Sequence, residues 1–341
     1  MPTAYSKDSL PSALRDAKEE GVARFLKTRV SPYKLVAYAA NTGTDQNVVG
    51  VGIGRKVVKG KEIARPCVRF YVVHKLAKAS ISKGNLLPAK IGAVETDVVE
   101  TGVFHAFALS AGIAKARSRL RPAKPGCSIG FEFTGDQANM VMAGTFGAVV
   151  TKDGKRFILS NNHVLADENR LPLGSAIFQP GLLDGGDATK DDIAELTQFV
   201  RLQANMPNTV DCAIAQVGNA KDVSGTCLPS VGKLKSVAPL AANEGLAVMK
   251  VGRTTGYTQG RITDVSATVR VGYDIGDLTF NNQMMIVGSP GQFSAAGDSG
   301  SLIVSKTSKR PVGLLFAGSA SHTMANHIDE VLAALGVTIH I

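Results

Sequence analysis

GLAVMKVGRTTGYTQGRITDVSATVRV, residues 245–271, sets two apolar runs rich in Val, Ile and Thr on either side of a turn of Gly, Arg and Thr. Similar runs recur around it: GTFGAVV, KRFILSNNHV and TVDCAIAQV before, QMMIVG, GSLIVS and PVGLLFAG after. Segments of strand length at that frequency, with no crossover helices between them, predict an antiparallel barrel or sandwich. The 36 glycines and the lack of Trp agree with a turn-rich, mainly β chain. The ending TMANHIDEVLAALGV has Leu332 and Leu335 at helical spacing before Gly336 and reads as one terminal helix.

Upstream the pattern changes. Residues 9–26 read as an amphipathic helix with Leu10, Leu14, Ala17 and Phe25 on one face, packed on its own module. Residues 47–103 alternate β-branched runs with turns, NVVGVGIGRKVV, KGKE, PCVRFYVV and TDVVETGVF, and predict a hairpin followed by further strands. GVGIGRKV has the glycines of a phosphate loop without the βαβ context such a loop needs. KARSRLRPAKPG, residues 115–126, is basic, carries two prolines and has no periodicity, so it reads as a mobile connection open to proteases. The expected division is an amino-terminal α/β module over 1–114, a basic linker over 115–125 and a mainly β unit over 126–341.

Composition narrows the function. No run approaches the roughly 18 apolar residues of a membrane helix, and the charged N-terminus lacks the apolar core of a secretory signal. Cys67, Cys127, Cys212 and Cys227 have no CxxC spacing and no histidine at zinc-site distance, which with the missing signal predicts reduced thiols in a cytoplasm; the serine chemistry read below requires no metal or organic cofactor. Residues 1–125 carry +13 and residues 126–341 carry −3, within a chain of net charge +10. A basic half could meet nucleic acid, but its charges are scattered without interleaved aromatics and read as a solvated surface.

The densest chemical signal is GDSGS, residues 297–301. A nucleophilic serine needs a tight turn that exposes its hydroxyl and aims backbone N–H groups at the developing oxyanion, and glycine permits both. The expected oxyanion donors are the N–H groups of Gly297 and Ser299. A serine hydroxyl also needs a base to take its proton. Of the six histidines, His163 stands at the exit of the apolar run RFILS; His74, His105, His322, His327 and His340 have less informative settings. The base needs a buried carboxylate to fix its tautomer, and Asp211 opens the apolar run DCAIAQV, where an unpaired charge would be costly. His163, Asp211 and Ser299 follow in that order, 48 and 88 positions apart.

SNNHV around His163, TVDCAIA around Asp211 and GDSGS around Ser299 resemble the three signature regions of trypsin-like serine peptidases of the chymotrypsin fold. The resemblance covers residues 125–341 and implies two six-stranded β-barrels with the triad between them, preceded by the small α/β module. GRTTGYTQGRITDV and GLLFAGS followed by ANHIDEVL are similar to the bacterial and plant intracellular subset, including the NARROW LEAF type. The resemblance implies a serine endopeptidase acting on protein or peptide substrates through an acyl-enzyme. It also implies a specificity pocket at Phe293, Phe316, Ala317 and Gly318, with no carboxylate and hence an apolar P1 residue. GCSIG only loosely matches the new N-terminus that zymogen cleavage creates, and residues 171–207 are richer in Asp and Gly than a compact barrel loop. Two other classes stay open: a non-catalytic scaffold that binds peptides on the same fold, and a nucleic-acid-binding protein using the basic half. The amino-terminal module is expected to regulate the enzyme or to form a homo-oligomer.

Overall fold

A computed structural model describes residues 5–26, 47–58, 61–81, 83–105, 114–133, 135–138 and 140–341. The chain is mainly β, and strands 2–18 residues long alternate with turns through most of its second half. The first barrel is a six-stranded sheet in the order Thr338–Ile339, Ala148–Lys152, Lys155–Ser160, Ala213–Val217, Asp192–Phe199, Ala176–Phe178. It curls round through the Gly130–Phe178 bridge to Ser128–Ile129, which pairs with Gly144–Thr145 just ahead of the Ala148 strand. Its interior holds Ile129, Phe146, Val150, Ile158, Leu159 and Ile214, all essentially inaccessible to solvent. The segment 171–207 therefore supplies two barrel strands and is not one long loop.

The second barrel closes where Ala247–Gly252 pairs with Gly256–Tyr273, so that the two runs of residues 245–271 form a hairpin. Gly256–Tyr273 runs 18 residues and pairs along its length with Gly276–Gly288, with three register shifts that coil the pair. Leu302–Ser305, Pro311–Gly318 and Thr323–His327 complete it. The terminal segment expected as one helix is divided. Thr323–His327 is a strand paired on both sides, and the helix is Ile328–Leu335, ended by left-handed Gly336.

The amino-terminal strands are not set apart from this barrel. Val48–Val58 pairs with the outer end of Gly256–Tyr273 at Gly50–Val269 and Val51–Thr268, then with Lys61–Val72, which is joined in parallel by Val94–Glu100. One continuous ten-stranded sheet results. The seam requires close backbone approach: a Cβ on Gly52 would lie 1.7 Å from Asp264 Oδ2, and Tyr71 Oη donates to that same oxygen at 2.7 Å. The helix Ser12–Phe25 covers the strands with Leu14 and Ala17, and the Phe25 ring meets the edge of Phe70 at 5.3 Å.

The connection expected to be mobile is packed. Ala116 and Ala123 are buried, Ala123 N–H donates to Asp222 O at 2.7 Å, Arg119 Nε meets Asp191 Oδ1 at 2.6 Å and Arg121 Nη1 donates to Gln179 Oε1 at 2.7 Å. The basic composition that suggested solvation serves instead to pair with Asp and Gln side chains of the first barrel.

Candidate active site

His163 lies in the single helical turn Asn162–Leu165 that follows the strand Lys155–Ser160. The turn directs the N–H groups of Asn162 and His163 at Asp211 Oδ1, at 2.7 and 3.4 Å, while His163 Nδ1 sits 2.5 Å from Asp211 Oδ2. A carboxylate can only accept, so Nδ1 carries the proton and Nε2 is left as the basic nitrogen. Asp211 is wholly buried at the entrance to Ala213–Val217, and its main chain is held by Asn326 Oδ1 and Asn161 Nδ2.

A fourth donor to that carboxylate comes from the other barrel. Tyr273 Oη donates to Asp211 Oδ2 at 2.7 Å, and its ring meets His163 edge-on at 5.8 Å. Burial, with the Asp211 charge beside it, pushes the Tyr273 phenol well up, so it stays a donor. The hairpin tip is pinned by Glu168, whose carboxylate accepts from Asp274 N–H at 3.1 Å and Ile275 N–H at 2.9 Å. Burial pushes the His163 imidazolium down, but the charge and hydrogen bond of Asp211 outweigh it and leave His163 above its ordinary value.

Ser299 sits in a turn flanked by Gly297 at φ +90° and Gly300 at φ +91°, a conformation open to glycine. At Gly297 a Cβ would also meet Arg253 Nη1 and Thr254 Oγ1 at 2.5 Å. The first barrel grips this turn: Thr145 N–H donates to Ser299 O at 2.8 Å and Thr145 Oγ1 to Gly297 O at 2.9 Å. Among the described residues the N–H groups of Gly297 and Ser299 donate to no protein acceptor, whereas Asp298 N–H is spent on Ala295 O. The Ser299 hydroxyl donates to Phe316 O at 3.2 Å, and His163 Nε2 has no hydrogen-bond partner among the described residues.

Asp298 faces inward with five donors: the N–H groups of Thr254, Thr255 and Ala295, Thr255 Oγ1 at 2.6 Å and Lys250 Nζ at 3.0 Å. Lys250 is equally buried and also donates to Gly256 O and Thr255 Oγ1. This ion pair locks the turn with a cation already in the chain. Ser128–Ile129, within the loosely matching GCSIG, is an ordinary strand segment. Below Gly297, Arg253 grips Asp184 bidentately at 2.7 and 2.5 Å, fastening the 181–191 loop beneath the turn.

Sequence reading missed Tyr273, Lys250 and Arg253. A signal for Lys250 existed: it is one charge inside the apolar run AVMKVG, a position that demands a buried counter-ion. Of the residues expected to form the specificity pocket, Phe293 is assigned to its base and Phe316, Ala317 and Gly318 to one wall, at the end of the strand Pro311–Gly318. Phe316 and Ala317 belong to the cluster in which Phe316 lies on Phe280 at 4.8 Å, while Phe293 packs with Val248, Ile262 and Ile303 on another face. Beside Phe293, buried Ser294 pairs with Thr323 Oγ1 at 2.5 Å, a polar contact absent from the sequence reading.

Residues 196–329 match the family model described as the Nal1 C-terminal domain. Protein NARROW LEAF 1 of Oryza sativa subsp. japonica is 26% identical over 313 residues, 80% of this chain and 51% of the rice protein, so the chain spans about half the length of the curated relative it matches. Among solved structures, a glutamic acid specific serine protease aligns at 21% identity with a TM-score of 0.44, over 63% of this chain and 99% of the other. Thermobifida fusca protease A aligns at 17% identity and a TM-score of 0.44, over 63% and 97%.

Proposed function

We propose that this chain is a serine endopeptidase of the NARROW LEAF type, with His163, Asp211 and Ser299 as its triad. The observation that carries this reading is the His163–Asp211 pair: a buried carboxylate accepts the hydrogen bond of Nδ1–H and leaves Nε2 unpaired, free to act as a base. The Ser299 hydroxyl turns from Phe316 O to Nε2, loses its proton there and attacks the peptide carbonyl. The N–H groups of Gly297 and Ser299 stabilise the oxyanion. The imidazolium, held by Asp211, then protonates the leaving amine, and water repeats the sequence on the acyl-enzyme. Tyr273 acts as a positioning residue for Asp211.

With Lys250 already paired to Asp298, the turn needs no proteolytic cleavage to supply its cation. Four free, buried cysteines support a working place in a reducing compartment such as the cytoplasm. One observation favours the peptide-binding scaffold instead: Ser299 Oγ bonds Phe316 O and not His163. A fluorophosphonate probe followed by mass spectrometry separates the two. Modification at Ser299 that is lost in His163→Ala supports the peptidase; an unmodified Ser299 in folded protein supports the scaffold.

A further inference from the structure

The strand Pro311–Gly318 approaches the nucleophile near its C-terminal end, where Phe316 O accepts from Ser299 Oγ and Leu315 O accepts from Gly300 N–H at 2.8 Å. A polypeptide held for attack at Ser299 has to lie extended along the nearest backbone that can pair with it. Adding a strand to a sheet edge does this through main-chain bonds alone. Gly318, two residues past Phe316, is the natural place for that pairing.

It is already paired. Gly318 N–H donates to His105 O and His105 N–H donates to Gly318 O, both at 3.1 Å, as an antiparallel bridge. On its other side the same segment meets the long hairpin, where Gly272 N–H donates to Phe104 O at 3.1 Å, one residue before Tyr273. Phe104 is completely buried in the cluster that contains Phe280, Phe316 and Ala317. Thr101 N–H donates to Val72 O at 2.9 Å and ties the segment to the amino-terminal strands. Being antiparallel to a strand that leads away from Ser299, residues 101–105 run towards the serine from N to C.

We propose that residues 101–105 occupy the strand-pairing edge of the peptide site as a built-in competitor, which an extended substrate must displace at Gly318. The proposal rests on the serine-peptidase reading. Because the pairing uses only the main chain of His105 and Gly318, the competitor discriminates by backbone conformation and not by side chain. Its effect therefore grows with the number of substrate residues preceding the scissile bond. The basic amino-terminal module thereby restrains the site without contributing to the triad.

The test compares His105→Pro, which removes the N–H that donates to Gly318 O, with the unaltered full chain. A chromogenic tetrapeptide substrate and a small fluorophosphonate serve as probes. The loss of this strand contact is expected to lower KM for the tetrapeptide roughly tenfold, while the fluorophosphonate modifies Ser299 at an unchanged rate. An unchanged KM in folded His105→Pro, with Ser299 still modified, overturns the proposal. Hydrogen exchange on the unaltered chain provides the second measurement, independent of whether the variant folds. A tetrapeptidyl phosphonate bound at Ser299 should speed exchange of the His105 amide and keep Gly318 protected, and the small fluorophosphonate should leave both protected. Continued protection of His105 beneath the peptidyl group overturns the proposal. If neither reagent modifies Ser299, it is the peptidase reading that fails.

Discussion

Asp211 and Asp298 are both fully buried carboxylates with four or five hydrogen-bond donors each, yet the two sites differ in what balances the charge. Asp298 faces Lys250, an ammonium whose three donors are taken up by Asp298, Thr255 and Gly256, so nothing at that site is left to react. Asp211 faces His163, a ring with a second nitrogen that no described residue engages. A saturated pair fixes a backbone turn; a pair with one open valence can move a proton. Chemistry here depends on what the partner leaves unsatisfied, and burial alone does not confer it.

The comparison breaks most sharply at Asp211. Asp211→Asn keeps the shape but offers an amide where Nδ1 needs an acceptor, and peptide turnover should fall about 10⁴-fold as the wrong tautomer is favoured. Near-normal turnover in a steady-state assay would mean that another group serves the histidine. The counterpart change at the second site should act on stability. Lys250→Met leaves Asp298 buried without its cation, at an expected cost of about 3–5 kcal/mol in denaturant unfolding. The double variant Lys250→Met, Asp298→Asn should recover much of it, and no recovery would remove the ion-pair explanation.

The pH profile sharpens the contrast. His163 works as a base only when neutral, and Asp211 raises its pKa above the ordinary 6.5. Activity should therefore be lost as pH falls through a value above 6.5. Tyr273→Phe frees Asp211 of one competing donor, leaving more of its charge for the imidazolium. The acid limb of kcat/KM should shift upward and turnover should drop roughly tenfold, the scale of one hydrogen bond to a charged group. An unmoved limb would reduce Tyr273 to packing.

The smallest effect belongs to a third buried carboxylate at the seam of the amino-terminal strands. Burial, only partly offset by Ser266 N–H and Tyr71, pushes Asp264 up to about 6 from 3.8. Between those values the folded chain holds a proton that the unfolded chain has released, so stability should rise as pH falls across the window. Asp264→Asn should flatten that slope in thermal unfolding, and an unchanged slope would assign it to another group.

What could be read from the linear chain was whatever short-range chemistry dictates. GDSGS specifies its own turn, because glycines at 297 and 300 can take the left-handed conformations the turn around Ser299 requires. His163 and Asp211 are marked by polar residues at the ends of apolar strands, where a buried ionisable group demands a partner. The charges of KARSRLRPAKPG misled for the complementary reason: their partners Gln179, Asp184 and Asp191 lie more than 50 residues away, and composition cannot tell solvated charge from paired charge.

The sequence by itself determined a mainly β chain, a serine on a glycine turn, and a histidine and an aspartate at strand ends in that order. Tertiary structure decided which groups complete them. Tyr273 reaches Asp211 across 62 residues, Lys250 reaches Asp298 across 48 and His105 reaches Gly318 across 213. Such contacts depend on barrel closure and strand register, which follow from the packing of whole sheets and not from any local run of residues.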